Sequence, residues 1–376
     1  MSVRRGLTVQ VGVWPVRVWA AMTSLTGKTE QTLAGTLDPP PFSAAMFGAV
    51  VQLGTLGYVW SHHAGDATKA CLVGDPVGCL RAGPLVSDPL GFLILAVQVQ
   101  TFCFWVISLW GHVEGKGHAD PSIVDRLWSI LPWLYCWYFV GVGWLRTGGE
   151  LNPRVLLMAC VATVWGLRLT FNFYIKGGFS GGEDYRWAEI RKWFPGAKFE
   201  IFNLVFICFF QQNEVMAFAL PVAAAYSSNA PLGRLDVVAA CLYLALVAGE
   251  ATADMQMFRY QQEKYRRRAA GEPAGPYARG FIETGLWAYS RHPNYFCEVT
   301  MWYVFYLFSV AATGQAANWS LPGCVFLSLL FLPPGASLDV TEALSSRKYK
   351  AYGEYQASVS RFVPWFPKKS AIKKRK

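Results

Sequence analysis

Charge is what this sequence has least of. Only 15% of its 376 residues are Asp, Glu, Lys or Arg, against 53% hydrophobic, and the mean hydropathy is positive at +0.25. A soluble domain carries about a quarter charged residues, so this chain lacks the polar groups to cover a water-facing surface. Acids are scarcer than bases, 24 against 34, which leaves a formal net charge of +10. There is no CxxC pair and no His/Cys cluster, which argues against a zinc site. The five His do not form the repeated HxxH-type boxes of a membrane di-iron centre, so no metal is expected. Walker A and GxGxxG fingerprints are absent as well, so the two commonest phosphate-binding loops are excluded. No internal repeat or long low-complexity segment stands out. Of the nine Cys, Cys103, Cys136, Cys160, Cys208, Cys241 and Cys324 lie in apolar runs and read as small hydrophobes. Cys71 and Cys79 share a polar loop, where an oxidising lumen would let them pair.

Long apolar stretches are what the chain has instead. A membrane-spanning helix needs roughly 20 mostly apolar residues. Eight stretches meet that need: Phe42–Trp60, Pro89–Trp110, Leu127–Leu145, Val155–Tyr174, Ile201–Tyr226, Leu235–Phe258, Tyr295–Thr313 and Leu321–Leu338. The expected fold is all-α, a polytopic membrane helix bundle of about eight transmembrane helices. Pro132, Pro221, Pro333 and Pro334 fall inside these spans, and such breaks are tolerated where neighbouring protein or a cavity satisfies the freed backbone. The last span is the weakest, because Pro333-Pro334-Gly335 should kink or end its helix.

Positive charge sorts the spans into two sides. With the N-terminus inside, the inner segments are 1–41, 111–126, 175–200, 259–294 and 339–376, and they hold most of the Lys and Arg. The opposite side holds little beyond Lys69, Arg81, Arg146, Arg154 and Arg234. This is the positive-inside pattern, with both termini cytosolic. The excess charge follows from topology, so no nucleic-acid partner is expected. The chain divides into an N-terminal arm (1–41), a membrane-embedded domain (42–367) and a basic cytosolic tail (368–376). Arg4, Arg5 and Arg17 precede the first acid, Glu30; an organelle-targeting leader and an unstructured arm both fit that composition. Asn318-Trp319-Ser320 is a glycosylation sequon, set in a lumenal turn too short for modification. Lys373 and Lys374 stand where a dilysine retrieval signal for the endoplasmic reticulum would. A basic tail on anionic lipid is the alternative.

Polar residues cluster at the inner helix ends. Arg168 and Asn172 are four apart and share a face, and an Arg in so apolar a segment needs a partner or an anionic ligand. Residues 176–187 set four Gly around Ser180, then Glu183-Asp184-Tyr185-Arg186-Trp187. Bare backbone N–H groups of this kind line phosphates, though a flexible turn explains the Gly equally well. The carboxylates there suggest an ion-pair network that locks the loop. Glu250 and Asp254 are again four apart, with Gln256 just beyond, and need a cation, for which Arg259 or Arg291 is within reach along the chain. The densest cluster is Ser290-Arg291-His292-Pro293-Asn294-Tyr295-Phe296-Cys297-Glu298. Pro293 suits the first turn of a helix, which would put Tyr295 and Glu298 on one face beside Arg291 and His292. A helix N-terminus there favours an anion such as phosphate. Glu342, Arg347, Tyr349 and Tyr352 lead into Arg361-Phe362-Val363-Pro364-Trp365-Phe366-Pro367, an aromatic interfacial segment. Such a cup over an apolar cavity suits one polyanionic cofactor and one apolar substrate.

Ser290–Phe296 with Glu298, preceded by Gly181–Trp187 and followed by Pro364–Pro367, resembles the steroid 5-alpha-reductase superfamily. More narrowly it is similar to the multi-pass branch known as domain of unknown function 1295. Asp125–Ser129, Asp254-Met255-Gln256 and Glu342-Ala343-Leu344 are similar to that branch too, and the resemblance covers roughly residues 88–367. It implies a helical membrane fold holding NADPH between its cytosolic helix ends. Asn294 and Tyr295 would contact the cofactor near its nicotinamide, and Glu298 would orient that region. Arg168, Asn172, Asp254, Gln256, Arg291, His292, Glu342, Arg347 and Tyr349 would complete the cofactor site. The implied reaction is hydride transfer to a carbon–carbon double bond of a lipid conjugated to a carbonyl. Tyr295 and Glu298 are the catalytic candidates, with Tyr135, Tyr138 and Asp125 candidates by position for polarising the carbonyl. Position 297 is Cys where the family pattern usually has Gly, a side chain that would crowd a close backbone approach. The Arg-His-Pro core is shared with membrane methyltransferases that use S-adenosylmethionine on prenyl-cysteine or phospholipid. That activity and a non-catalytic membrane scaffold or transporter are the alternatives.

Overall fold

The computed structural model describes residues 87–179, 183, 185–334 and 337–368. The N-terminal arm, the first predicted span, the Cys71/Cys79 loop, the Gly181–Gly182 pair and the dilysine lie outside them. The described residues form a polytopic bundle of helices without strands. In chain order the helices are α1 (Pro89–Ser108), α2 (Trp110–Val113), α3 (Ser122–Leu127), α4 (Leu131–Thr147), α5 (Pro153–Ile175), α6 (Tyr185–Trp193) and α7 (Ala197–Phe202). A π-helical segment (Asn203–Phe210) follows, then α8 (Gln211–Ala219), α9 (Pro221–Tyr226), α10 (Arg234–Ala270), α11 (Pro293–Thr313), α12 (Leu321–Phe331), α13 (Ser337–Lys348) and α14 (Tyr352–Ser358).

Five stretches are long and apolar enough to cross a membrane: Pro89–Val113, Pro153–Ile175, Ala197–Tyr226, Arg234–Ala270 and Pro293–Thr313. Two predicted spans are shorter than expected. The third begins at Leu131, with Pro132 in its first turn, and runs 17 residues. The eighth stops at Phe331 after 11 residues, because Pro333 and Pro334 cannot continue the ladder. Leu338 therefore belongs to the next helix. Local chemistry sets most ends. Asp88 caps α1 by accepting from the Gly91 N–H at 3.1 Å, Asn152 caps α5, and Pro follows each at N1. Gly148, Gly271 and Gly314 close α4, α10 and α11 in the left-handed conformation.

The run Ala197–Tyr226 is the most buried of the spans and forms the centre of the bundle. Its α8 packs on α12 and α4, while α11 packs along α10, and α5 lies against α4 and α10. Among the described residues, connecting segments that the charge pattern assigns to one side meet one another. At one end the Ala119 N–H donates to Glu200, Arg291 meets Glu342, and Arg361 meets Asp339. At the other, buried Arg154 donates to Asp236 at 2.7 and 2.9 Å and to the Ala230 and Pro231 carbonyls. Such complete pairing is what a buried Arg requires. Asn318, in the predicted sequon, donates its amide to Ser309 at 3.0 Å, so the nitrogen a glycan would need is engaged internally.

Candidate functional site

The inner end of α5, the middle of α10 and the first turns of α11 converge on Arg168. Its guanidinium stands 2.5 Å from Glu250, 2.8 Å from Asp254 and 4.0 Å from Glu298. Asn172 donates to the same Asp254 oxygen at 2.9 Å, and Lys176 approaches its other oxygen at 3.9 Å. Sequence spacing correctly put Arg168 with Asn172 and Glu250 with Asp254. The cation between the two acids is Arg168 on the neighbouring helix, however, not Arg259 or Arg291. Three carboxyl groups thus face two cations. Glu298 is held by two indoles, Trp165 Nε1 at 2.9 Å and Trp302 Nε1 at 3.0 Å, whose rings meet edge to face. These donors fix its orientation, because a carboxylate gains most from fully satisfied acceptors when buried.

Pro293 opens α11 with His292 as N-cap residue, as the motif predicted. Asn294 Nδ2 donates to Asp254 Oδ1 at 3.3 Å. Its Oδ1 is buried without a hydrogen-bond partner among the described residues. Tyr295 lies beside it, stacked on the His292 ring and packed against Phe331. Arg291 turns the other way. Its guanidinium grips both oxygens of Glu342 and donates to the Gln356 and Val359 carbonyls. His292 Nε2 lies 3.1 Å from Glu342. Burial lowers the pKa of this imidazole against the pull of Glu342 and leaves it neutral. A carboxylate only accepts, so the ring proton sits on Nε2. Burial tends to raise the Glu342 pKa, but the hydrogen bonds from His292 and Arg291 prevail and hold it at about 2. Arg291 and His292 therefore act as a clamp that ties α13 and α14 to the start of α11.

Between the clamp and the Arg168 cluster lies a cleft. Asp254, Asn294, Tyr295 and His292 form one wall, and Phe281, Trp287, Tyr349, Tyr352 and Tyr355 contribute aromatic surface. Of the expected cofactor residues, Gln256 lies apart from the cleft lining and holds a loop. Its Oε1 accepts from the Leu286 N–H at 3.0 Å, under Gly285, whose φ is +64°. Arg347 is at the end of α13, and neither it nor Arg168, Asn172 or Glu342 lines the cleft surface. The positional candidates for the carbonyl are elsewhere too. Tyr138 donates to the Pro89 carbonyl, Tyr135 meets Gln100, and Asp125 accepts from Trp187. The ion pair expected in the 183–187 loop is present, with Arg191 donating twice to Glu183. Cys297 faces α10, where Gly249 leaves it room: a Cβ at 249 would come within 3.1 Å of its sulfur. The side chain is absent from the cleft lining, so the feared crowding does not fall there.

Sequence reading passed over Trp165 and Trp302, and gave Lys176 and Trp287, which fall inside its motifs, no part in the site. The signal was present for two of them, since Trp165 precedes Arg168 by three and Trp302 follows Glu298 by four, the spacings of one helix face. No solved structure matches the chain. A protein of Schizosaccharomyces pombe, named only as uncharacterized, is 34% identical over 272 residues, which cover 69% of this chain and 75% of that protein. The family model described as protein of unknown function (DUF1295) matches residues 104–359, a stretch that contains the whole of α11 and its clamp, and the chain belongs to that family.

Proposed function

We propose that the chain is a membrane reductase that uses NADPH to reduce a carbon–carbon double bond of a lipid such as a sterol, polyprenol or acyl enone. The observation that carries the reading is Asn294. Its carboxamide oxygen is buried in the cleft wall with no donor among the described residues, an arrangement that costs about 1–3 kcal/mol unless a ligand N–H completes it. The carboxamide of a nicotinamide offers such an N–H, and aromatic walls suit its ring. NADPH would supply the hydride. Within the chain, Asp254 fixes the Asn294 amide, and Arg168 and Asn172 hold Asp254 in place. Tyr295 is the hydroxyl next to Asn294 and is the acid we assign to the substrate carbonyl. Lys264, beside the cleft, donates to the Gly280 carbonyl and Tyr349, which leaves one of its three N–H groups for a phosphate. We place the enzyme in the endoplasmic reticulum, with the cleft facing the cytosol, on the strength of the positive-inside pattern and the terminal dilysine.

An S-adenosylmethionine methyltransferase is the second reading. What favours it is the excess of carboxyl groups under Asn294, which also suits a sulfonium cation. Thermal melting of the purified full-length protein separates the two. NADPH should raise the melting temperature, since a ligand at 100 times its Kd adds about 2.7 kcal/mol, and Asn294→Ala should remove that rise. Stabilisation by S-adenosylmethionine instead would overturn the reductase reading. A shift with neither ligand would leave a non-catalytic scaffold as the better account.

A further inference from the structure

The face of α10 that lines the cleft continues beyond it and changes sign. Glu250, Asp254, Met257, Gln261, Lys264 and Arg268 follow one another at steps of four and three, so they share one face of the helix. The first two are the acids held by Arg168. Met257 and Gln261 line the cleft together with Asp254, and the last two are cations. At 37 residues α10 is about 55 Å long, against the roughly 30 Å of a bilayer core, so its last turns project out of the membrane. Asp254 and Lys264 are separated by about 15 Å along the helix axis, a length that an extended dinucleotide spans.

The basic end of this stripe is held in place at the cleft. Lys264 Nζ turns inward and donates to the Gly280 carbonyl at 3.0 Å and to the Tyr349 hydroxyl at 3.4 Å. The Tyr265 and Tyr260 rings flank it, at 4.9 and 5.9 Å from their centroids. Tyr349 itself lines the cleft, and a second ammonium, Lys348, stands 5.4 Å from its ring centroid. Gly280, at a φ of +82°, lets the loop press on that ring, which a Cβ would strike. Lys348 and Arg268 are both within electrostatic reach of Lys264. None of the three has an ion-pair partner among the described residues. The neighbouring acids are taken up elsewhere, Glu263 by Arg266 and Arg267, and Glu272 by Arg266. Cations gathered in this way repel one another, a cost that a bound anion removes. The Tyr349 hydroxyl, accepting from Lys264, keeps its own proton to donate. The acids at the other end repel an anion, so the stripe gives a ligand one direction, with phosphate at Lys264 and an uncharged carboxamide at Asn294.

We propose that Lys264, Lys348 and Arg268, with the Tyr349 hydroxyl, bind the 2′-phosphate of NADPH and make the cleft selective for NADPH over NADH. The inference rests on the reductase reading and adds the residues that set its cofactor preference. A phosphate monoester carries a charge of about −1.5 to −2 at neutral pH, which suits three cations without an acid. NADH presents a hydroxyl at the same place and leaves them unpaired. The pyrophosphate common to both cofactors falls nearer the neutral middle of the stripe. Dissociation constants for both cofactors, measured on the full-length protein in lipid nanodiscs, test this. Wild type should bind NADPH roughly tenfold or more tightly than NADH, the effect of a hydrogen-bonded charge. Lys264→Gln should remove most of that preference by weakening NADPH alone. Lys348→Gln, at an exposed position outside the Lys264 packing, should narrow it in the same direction. Adenosine 2′,5′-bisphosphate should compete with NADPH far better than ADP does. Equal weakening of both cofactors would show that the cations hold the shared pyrophosphate, and unchanged binding in both variants would show a solvated surface. Either result overturns the proposal and leaves the reductase reading standing. A wild-type protein that binds neither cofactor overturns that reading and the proposal with it.

Discussion

Arg168 is the residue on which the inner end of the bundle depends. It is nearly buried and neutralises Glu250 and Asp254 on α10 while reaching toward Glu298 on α11. Removing one partner of such a group leaves uncompensated charge, at a cost of about 3–5 kcal/mol. Arg168→Met should therefore lower the melting temperature sharply, and adding Glu250→Gln with Asp254→Asn should restore much of it. Melting in detergent, variant by variant, checks this; an Arg168→Met protein as stable as the wild type would refute it. The clamp makes a pH prediction of a different kind. Glu342 is held at about 2, below its ordinary 4.5, so its contribution is full above 4.5 and is lost as pH falls from there toward 2. His292, held below 6.5, acts in the same direction, because the unfolded chain takes up that proton first. The stability gap between wild type and Glu342→Gln should thus be widest near neutral pH and shrink as acid is added. A gap that is constant across the titration would show that Glu342 holds no such clamp.

At the scale of elements, the seam between α10 and α11 decides how the opening motif is presented. Gly249 on α10 faces the sulfur of Cys297 on α11, so the two positions share one volume. Gly249→Val should overpack the seam and cost about 1–3 kcal/mol, and Cys297→Gly should relieve it. A double-mutant cycle on melting measures the coupling, and strictly additive effects would separate the two positions. This pairing also shows where sequence reading stops. Pro293, Asn294, Tyr295 and Glu298 announce a helix start and a shared face by spacing alone. Nothing in the order of residues says that Cys297 has a Gly opposite it 48 positions earlier. The same holds for Arg291. Its chemistry suggests a phosphate ligand, yet α13 brings Glu342 into reach first, and the geometry makes it a clamp. Tyr135, Tyr138 and Asp125 are candidates by position in the chain alone, and each is turned toward another partner.

For the whole molecule, the connecting segments fall at two ends of a polytopic bundle, and the charge bias gives those ends a direction. Glu150, after α4, and Glu272, after α10, are exposed on opposite ends. With a membrane-impermeant maleimide applied to sealed vesicles from the cytosolic face, Glu272→Cys should be labelled and Glu150→Cys should be protected. The reverse pattern would invert the topology and put the cleft out of reach of cytosolic NADPH. The amino-acid sequence by itself determined the solvent class, most of the spans, their two-sided sorting and the helix-start motif. All of these depend on composition or on spacing along one helix, where the 3.6-residue period converts order into direction. Only the tertiary structure decided which acids Arg168 neutralises, that Arg291 is a clamp, and that the side-chain oxygen of Asn294 is left without a hydrogen-bond partner among the described residues. Those outcomes depend on which helix lies beside which, and side chains far apart in the chain meet through packing that no local pattern encodes.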